Sequence, residues 1–377
     1  MEKCIVISDS FKGTLSSADI CRIARGSVPK LFPDCQLLTF PVADGGEGTV
    51  DCFVEAMGAQ RVSVSVHGPY MEPVSADYAR IGSKAVIEMA AAAGLPMVGE
   101  RKNPALTTTY GVGELIAHAV SGGCTEILLG LGGSATNDGG CGCAAALGVK
   151  FHDEGGESFV PVGGTLDKIC RIDVSAAGER LNGVSITLMS DVENPLLGKM
   201  GAAYVFSPQK GADEAMVLEL DGKLRHFDEV LRRELGADVA GIPGAGAAGG
   251  MGAGGMALLG AGIKSGIQAI LELIDFDACL QGAGLVITGE GRLDRQSLDG
   301  KVISGIAAHT KAAGVPLAAI VGSVDDSADG AYGLGVTAVF PIDRTAAGFP
   351  KMAERCEEDY RRTLEDVLRL YRAAESK

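Results

Sequence analysis

Both ends of this chain repeat one pattern: a short β-branched run, a polar loop rich in glycine and acidic residues, and a helical stretch. Cys4 to Ile7 leads through SDSFKG to a helical pattern carrying Ile20, Ile23 and Val28, capped by the run Ser16-Ser17-Ala18-Asp19. Leu37 to Val42 leads through ADGGEGT to a second helical stretch, Val50 to Met57. After Gln281 the pattern returns as Leu285 to Thr288, a long polar loop, a helix over about 302–313 and a strand at Pro316 to Val321. A strand near Thr337 to Phe340 and an exit helix from Met352 to Tyr371 close the series. Units of this kind are crossovers rather than hairpins, so they require a parallel, right-handed sheet with helices on both faces.

The middle of the chain reads differently. Arg61 to Met89 is a set of short alternating strands, with Val62, Val64 and Val66 on one face and Gly68-Pro69 as punctuation. Gly111 to Val120 and Gly139 to Leu147 read as helices, and Ile127 to Leu131 and Ser185 to Met189 as strands. Leu224, Phe227, Leu231 and Leu235 form an apolar stripe on a helix over 218–235, which is packing. Gly241 to Gly266 is too rich in Gly and Ala for any assignment. The expectation is an α/β protein with a discontinuous parallel-sheet domain, residues 1–60 and 282–377, and a second α/β domain inserted at 61–281.

Composition narrows the function classes. The chain has 377 residues, enough for two cores, and 46% hydrophobic against 21% charged residues argues for a globular protein. A net charge of -15 repels phosphodiester backbones and anionic membranes, so neither nucleic acid nor a membrane is an expected partner. An anionic substrate must then be held by a few local cations, amides or metal ions. Ten dispersed cysteines without C-x-x-C spacing read as reduced thiols, with Cys141 and Cys143 as small buried side chains. The apolar run around Ile5 to Ile7 is too short for a signal-peptide core, and no stretch reaches the ~18 residues of a membrane span, so a cytoplasmic enzyme is expected.

In open parallel sheets ligands bind beyond the carboxyl ends of the strands, and the polar loops of this chain fall there. GLGGSATNDGG, residues 130–140, follows an apolar strand and opens a helix. Its amides can cradle a phosphate with the hydroxyls of Ser134 and Thr136; the bland alternative is a tight turn capped by Asn137 or Asp138. Gly132 and Gly133 leave room for close approach. Glu290, Arg292, Asp294, Asp299 and Lys301 cluster after another apolar strand, an inventory suited to phosphate and Mg²⁺, although a solvated charged loop would look similar. Asp9 with Lys12, and Asp44 with Glu47, form two further strand-end pairs. Asp191 ends a strand where a carboxylate can accept a hydroxyl proton, and Asn194 follows in the same turn.

Several chemistries are excluded by context. Gly300-Lys301 is followed by Val302, so this is not a Walker loop, and the glycines of 244–255 follow a charged helix rather than the strand a dinucleotide fingerprint needs. Gly130, Gly132 and Ala135 fit only a loose variant of that fingerprint. The five histidines lack H-x-x-x-H spacing, which leaves zinc catalysis without support.

Taken together, SDSFKGTLSS, PVADGGEGT, LGLGGSATNDGGCG, SDVENPLLG with GAAYVFSPQKGA, and VITGEGRLDRQSLDGK resemble the type I glycerate kinase family of bacteria. The resemblance spans the whole chain. It implies ATP-dependent, Mg²⁺-assisted phosphorylation of D-glycerate to 2-phosphoglycerate, and a flavodoxin-like outer domain interrupted by a second α/β domain. On that reading Mg·ATP lies along Gly132, Gly133, Ser134, Thr136 and Asn137 and along the loop from Glu290 to Lys301, near the cleft between the domains. Glu290 and Asp294 would hold the metal. Lys12, Arg292, Asn194 and Glu47 would meet the substrate, with Lys12 also serving catalysis, and Asp191 would act as base, with Asp9 and Asp44 as alternatives. A kinase for another small hydroxy acid or sugar acid, and a non-catalytic nucleotide-binding regulator, are the competing readings.

Overall fold

The computed structural model describes residues 1–11, 13–42, 46, 48–298, 302–345 and 349–375. In chain order the strands are β1 (Lys3–Ser8), β2 (Gln36–Pro41), β3 (Gln60–His67), β4 (Pro73–Ile81), β5 (Lys84–Glu88), β6 (Glu126–Gly130) and β7 (Lys150–His152). They continue as β8 (Ser158–Phe159), β9 (Arg171–Asp173), β10 (Ser185–Met189), β11 (Gly262–Lys264), β12 (Leu285–Leu293), β13 (Leu317–Val324) and β14 (Ala338–Pro341).

The chain divides into two units, one of Met1–Ala43, Asp51–Ala59 and Ser265–Lys377, the other of Asp44–Val50 and Gln60–Lys264. The first holds a five-stranded sheet in the order β2-β1-β12-β13-β14, parallel throughout. Numbered within the unit this is 2-1-3-4-5, the flavodoxin-like order, with its switch point between β1 and β12. Cys4 and Val6, Leu285 and Ile287, and Ala318 and Ile320 turn one face toward the helices Ser17–Leu31 and Phe349–Glu375, packing with Ile20, Val28, Tyr360 and Leu364. Alternation along the strands leaves Ile5, Ile7 and Val286 for the opposite face, and helix Val302–Ala313 packs on β12. Ser16 starts the first helix through a capping box: its Oγ accepts from Asp19 N at 3.0 Å while Asp19 Oδ2 accepts from Ser16 N at 3.2 Å.

The second unit is built on a six-stranded sheet, β11-β10-β6-β5-β4-β3, parallel from β11 to β5 and antiparallel through β4 and β3. A small sheet, β8-β7-β9, lies in the same unit. The architecture is therefore α/β, an interrupted flavodoxin-like unit with a second α/β unit between its pieces.

Two stretches differ from the sequence expectation of 1–60 with 282–377 against 61–281: of the described residues before β3, 46 and 48–50 go with the second unit, and the later boundary lies at 264/265 rather than 281/282. Residues 265–281 go with the chain ends, because helix Gly266–Leu273 packs on Val302–Ala313, where Gly305 leaves room for Ile267. The Gly/Ala-rich stretch without a sequence assignment forms helix Ala247–Leu259 and β11. Among the described residues no helix is long and apolar enough to cross a membrane.

Candidate active site

At the carboxyl edge of the second sheet β6 ends at Gly130, in register with Glu88 at the end of β5 and Met189 at the end of β10. The chain then turns through Gly132 to Gly140 before helix Cys141–Leu147. The turn opens outward at Gly132 and Gly133 and is closed below, where Thr136, Asn137 and Asp138 are fully buried. Among the described residues the amides of Gly132, Gly133 and Ser134 donate no hydrogen bond. Thr136 Oγ1 and both polar atoms of the Asn137 side chain are buried without partners as well. Orphaned polar atoms at this depth cost about 1–3 kcal/mol each, so a fold that keeps three together in one turn is carrying a cost unrelated to packing.

Two buried charges stand behind this loop. Asp138 ties it to the next helix, since Oδ2 accepts from Thr109 N and Thr109 Oγ1 at 2.8 Å and from Gly142 N at 3.2 Å, and Oδ1 accepts from Gly140 N at 3.1 Å. Burial pushes its carboxyl up and these donors pull it back. Lys210, 2% exposed, reaches in from the Pro-Gln-Lys turn and donates to Ser134 Oγ at 2.8 Å and Thr136 O at 2.7 Å. No carboxylate among the described residues lies within salt-bridge distance of it, and burial lowers its pKa to about 7, with Asp138 pulling the other way.

The loop is sealed from beneath by the Gly/Ala helix. A side chain on Gly249, at φ 69°, would stand 2.0 Å from Thr136 O, and Gly249 O accepts from Gly139 N at 3.0 Å. The three residues Ala248, Gly249 and Gly250 are all left-handed, a conformation Ala248 adopts only at a cost in strain. The glycines read in the sequence as an aborted fingerprint thus serve close backbone approach to the loop.

Asp191, exposed, follows β10, the strand beside β6. The side chain of Asn194 donates to Met200 O at 2.8 Å and the Asn194 backbone carbonyl accepts from Gly246 N, the pattern of a turn residue.

In the first unit Asp9 and Glu290 meet at the switch point, and Arg292 and Asp294 follow at the far end of β12. Asp9 follows β1, its amide donating to Gly289 O at 2.9 Å, which sets it beside Glu290 on the neighbouring strand. Glu290 is 9% exposed, whereas Arg292 is open to solvent and pairs with Asp325 at 3.0 Å. Asp294 exchanges hydrogen bonds with Ser297. No group of three metal-ligating side chains assembles among the described residues, but Mg²⁺ is ordinarily held by one or two carboxylates with substrate phosphates, and Glu290 and Asp294 each offer oxygen ligands of that kind. A cavity of about 120 Å³ opens at the same sheet edge against Phe11, Gly291, Gly322, Ile342, Met352 and Cys356, with Asp343 and Asp359 in its wall. Its apolar and acidic lining suits a ring or an uncharged group better than an anion. Lys12, Asp44, Glu47 and Lys301, all singled out in the sequence, lie outside the described residues.

A family model described as the glycerate kinase family matches residues 4–372. The chain belongs to the glycerate kinase family. It is 43% identical to the glycerate kinase of Bacillus cereus over 100% of this chain and 99% of that protein. It is 44% identical to the glycerate 2-kinase of Escherichia coli K12 over 90% of each. A crystal structure of a protein described as glycerate kinase 2 from Salmonella typhimurium LT2 superposes with a TM-score of 0.87 at 39% identity, covering 100% of both chains. Membership in this kinase family makes the chain an enzyme of the phosphotransferase class.

In this glycerate kinase family member sequence reasoning names the loop as a candidate, does not name Lys210 and gives Asp138 only a capping role. The one signal for Lys210 was its place in GAAYVFSPQKGA, and nothing in that string points toward Ser134.

Proposed function

We propose that the chain catalyses transfer of the γ-phosphoryl group of ATP to the 2-hydroxyl of D-glycerate, giving 2-phosphoglycerate and ADP. The observation that carries this reading is the loop after β6: three unbonded amides at its mouth and unpartnered Thr136 and Asn137 beneath them. Phosphoryl transfer asks for such positioning and charge neutralisation more than for covalent catalysis. The loop would take phosphate oxygens. The glycerate oxygen bonds to the γ-phosphorus as the bond to the β,γ-bridging oxygen breaks, and Asp191 takes the hydroxyl proton. Arg292 would neutralise the carboxylate or the moving phosphoryl group. Glu290 and Asp294 would hold Mg²⁺, which when bound offsets negative charge on the phosphate oxygens.

The test is an ADP-release assay over D-glycerate, L-glycerate, glycolate and tartronate, with the product's phosphate position read by ³¹P NMR. D-glycerate should be used best and phosphorylated at the 2-position. A better rate with another hydroxy acid would move the assignment to that acceptor, and ADP release independent of any acceptor would overturn it. Asp191→Asn should lower kcat by at least about 100-fold, the usual worth of a positioned base; a change under about threefold removes Asp191 from that role.

A further inference from the structure

Lys210 is a buried cation that the packing of the loop does not require, since its ammonium meets only a hydroxyl and a carbonyl. An ammonium has three protons to donate and cannot accept, so two are used here. Burial without a carboxylate partner disfavours the charged form, and one nearby field opposes that, from Asp138 on the same loop. Lys102 packs against the following Gly211 with its backbone carbonyl and Cβ nearest. A structural staple for the loop would not need an ionisable group.

The consequence falls on Ser134. Because its Oγ accepts from Lys210, the hydroxyl hydrogen is left to be donated elsewhere, and no protein acceptor among the described residues receives it. Ser134 is 7% exposed and directly follows the open Gly132 and Gly133, whose amides are unbonded. A hydroxyl that accepts from a cation is a stronger donor, because each bond in a chain polarises the next.

We propose that Lys210 is the positioning cation of this loop, acting through Ser134 to hold a phosphate oxygen of ATP at the mouth formed by Gly132, Gly133 and Ser134. The inference rests on the kinase reading above and adds to it the residue that supplies positive charge to an acidic protein's anion site. Arrival of the phosphate gives the ammonium a negative neighbour in addition to Asp138, so anion binding and protonation of Lys210 support each other.

The test uses the full chain and measures kcat and KM for Mg·ATP and for D-glycerate between pH 6 and 9, in wild type, Lys210→Met, Lys210→Arg and Ser134→Ala. Lys210→Met should raise the KM for ATP at least tenfold at pH 6.5 and leave that for D-glycerate within twofold. The wild-type kcat/KM for ATP should fall as pH rises above 7, and this fall should be missing from the Lys210→Met profile. Lys210→Arg should recover part of the ATP affinity. Ser134→Ala should weaken ATP binding in a Lys210 background and add nothing in a Lys210→Met background.

A folded Lys210→Met enzyme with wild-type ATP kinetics, or with the wild-type pH profile, would overturn the inference. If Lys210→Met does not fold, Ser134→Ala decides the matter, since unchanged ATP kinetics there would equally reject it. Absence of ATP-dependent glycerate phosphorylation in the wild type would instead be a failure of the kinase reading.

Discussion

The loop after β6 and the acidic edge of β12 handle their charge in opposite ways. In the loop, Lys210 and Asp138 are buried, Thr136 and Asn137 keep unpartnered polar atoms, and a strained left-handed run seals the underside. At the edge of β12, Arg292 stands in solvent with Asp325 opposite, an arrangement that costs and contributes little. The first region is paid for in stability and preorganised; the second is inexpensive and free to rearrange. A site that must replace the water around a phosphate needs fixed donors in place before the ligand arrives, whereas an exposed guanidinium can follow a group that moves.

The sharpest way to break this comparison is Asn137→Leu, which removes both orphaned atoms at similar volume. Its kcat/KM for ATP or D-glycerate should fall at least about 100-fold while the thermal midpoint holds or rises, because an unsatisfied buried amide has been exchanged for apolar contact. A large drop in midpoint would make Asn137 a structural residue and leave the loop unremarkable. Arg292→Ala should do the reverse in kind: KM for one of the two substrates rises about tenfold, with folding stability changed by less than about 1 kcal/mol. Loss of stability beyond that, measured by urea unfolding, would show that the edge of β12 is as preorganised as the loop.

A smaller effect should appear in pH dependence. The folded pKa of Lys210 lies near 7, below the ordinary 10.5. Between those values the unfolded chain binds more protons than the folded one, so the contribution of Lys210 makes the ligand-free protein more stable as pH rises above 7. Between pH 7 and 8 this is worth on the order of 1 kcal/mol. Lys210→Met should flatten that slope relative to wild type in urea midpoints, and an identical slope would place the ammonium in a better-solvated setting than the loop shows.

Much of the fold was legible because period and punctuation are local. The β-loop-α pattern marked every strand of the first sheet, and the serine run before the first helix became a capping box at Ser16 and Asp19. The strands β7, β8 and β9, two or three residues long, are too short to show a period and went unread. Residues 265–281 lie across the boundary from where their sequence suggests, because a helix's sequence does not say which neighbour it packs on; Ile267 against Gly305 does.

The site divides along the same line. Glycines, hydroxyls and carboxylates in runs at strand ends were visible as candidates, since the chemistry they serve needs several of them close in the chain. Lys210 was invisible because its partner Ser134 is 76 residues away and a lysine in a Pro-Gln-Lys-Gly turn has the look of a surface residue.

By itself, then, the sequence determined the α/β class, the interrupted parallel sheet, the glycine loop and the family, all of which rest on neighbours in the chain. Only the tertiary structure decided which polar groups are buried without partners and which cation stands among them. Burial and desolvation depend on what the rest of the chain folds over a residue, and no local pattern carries that information.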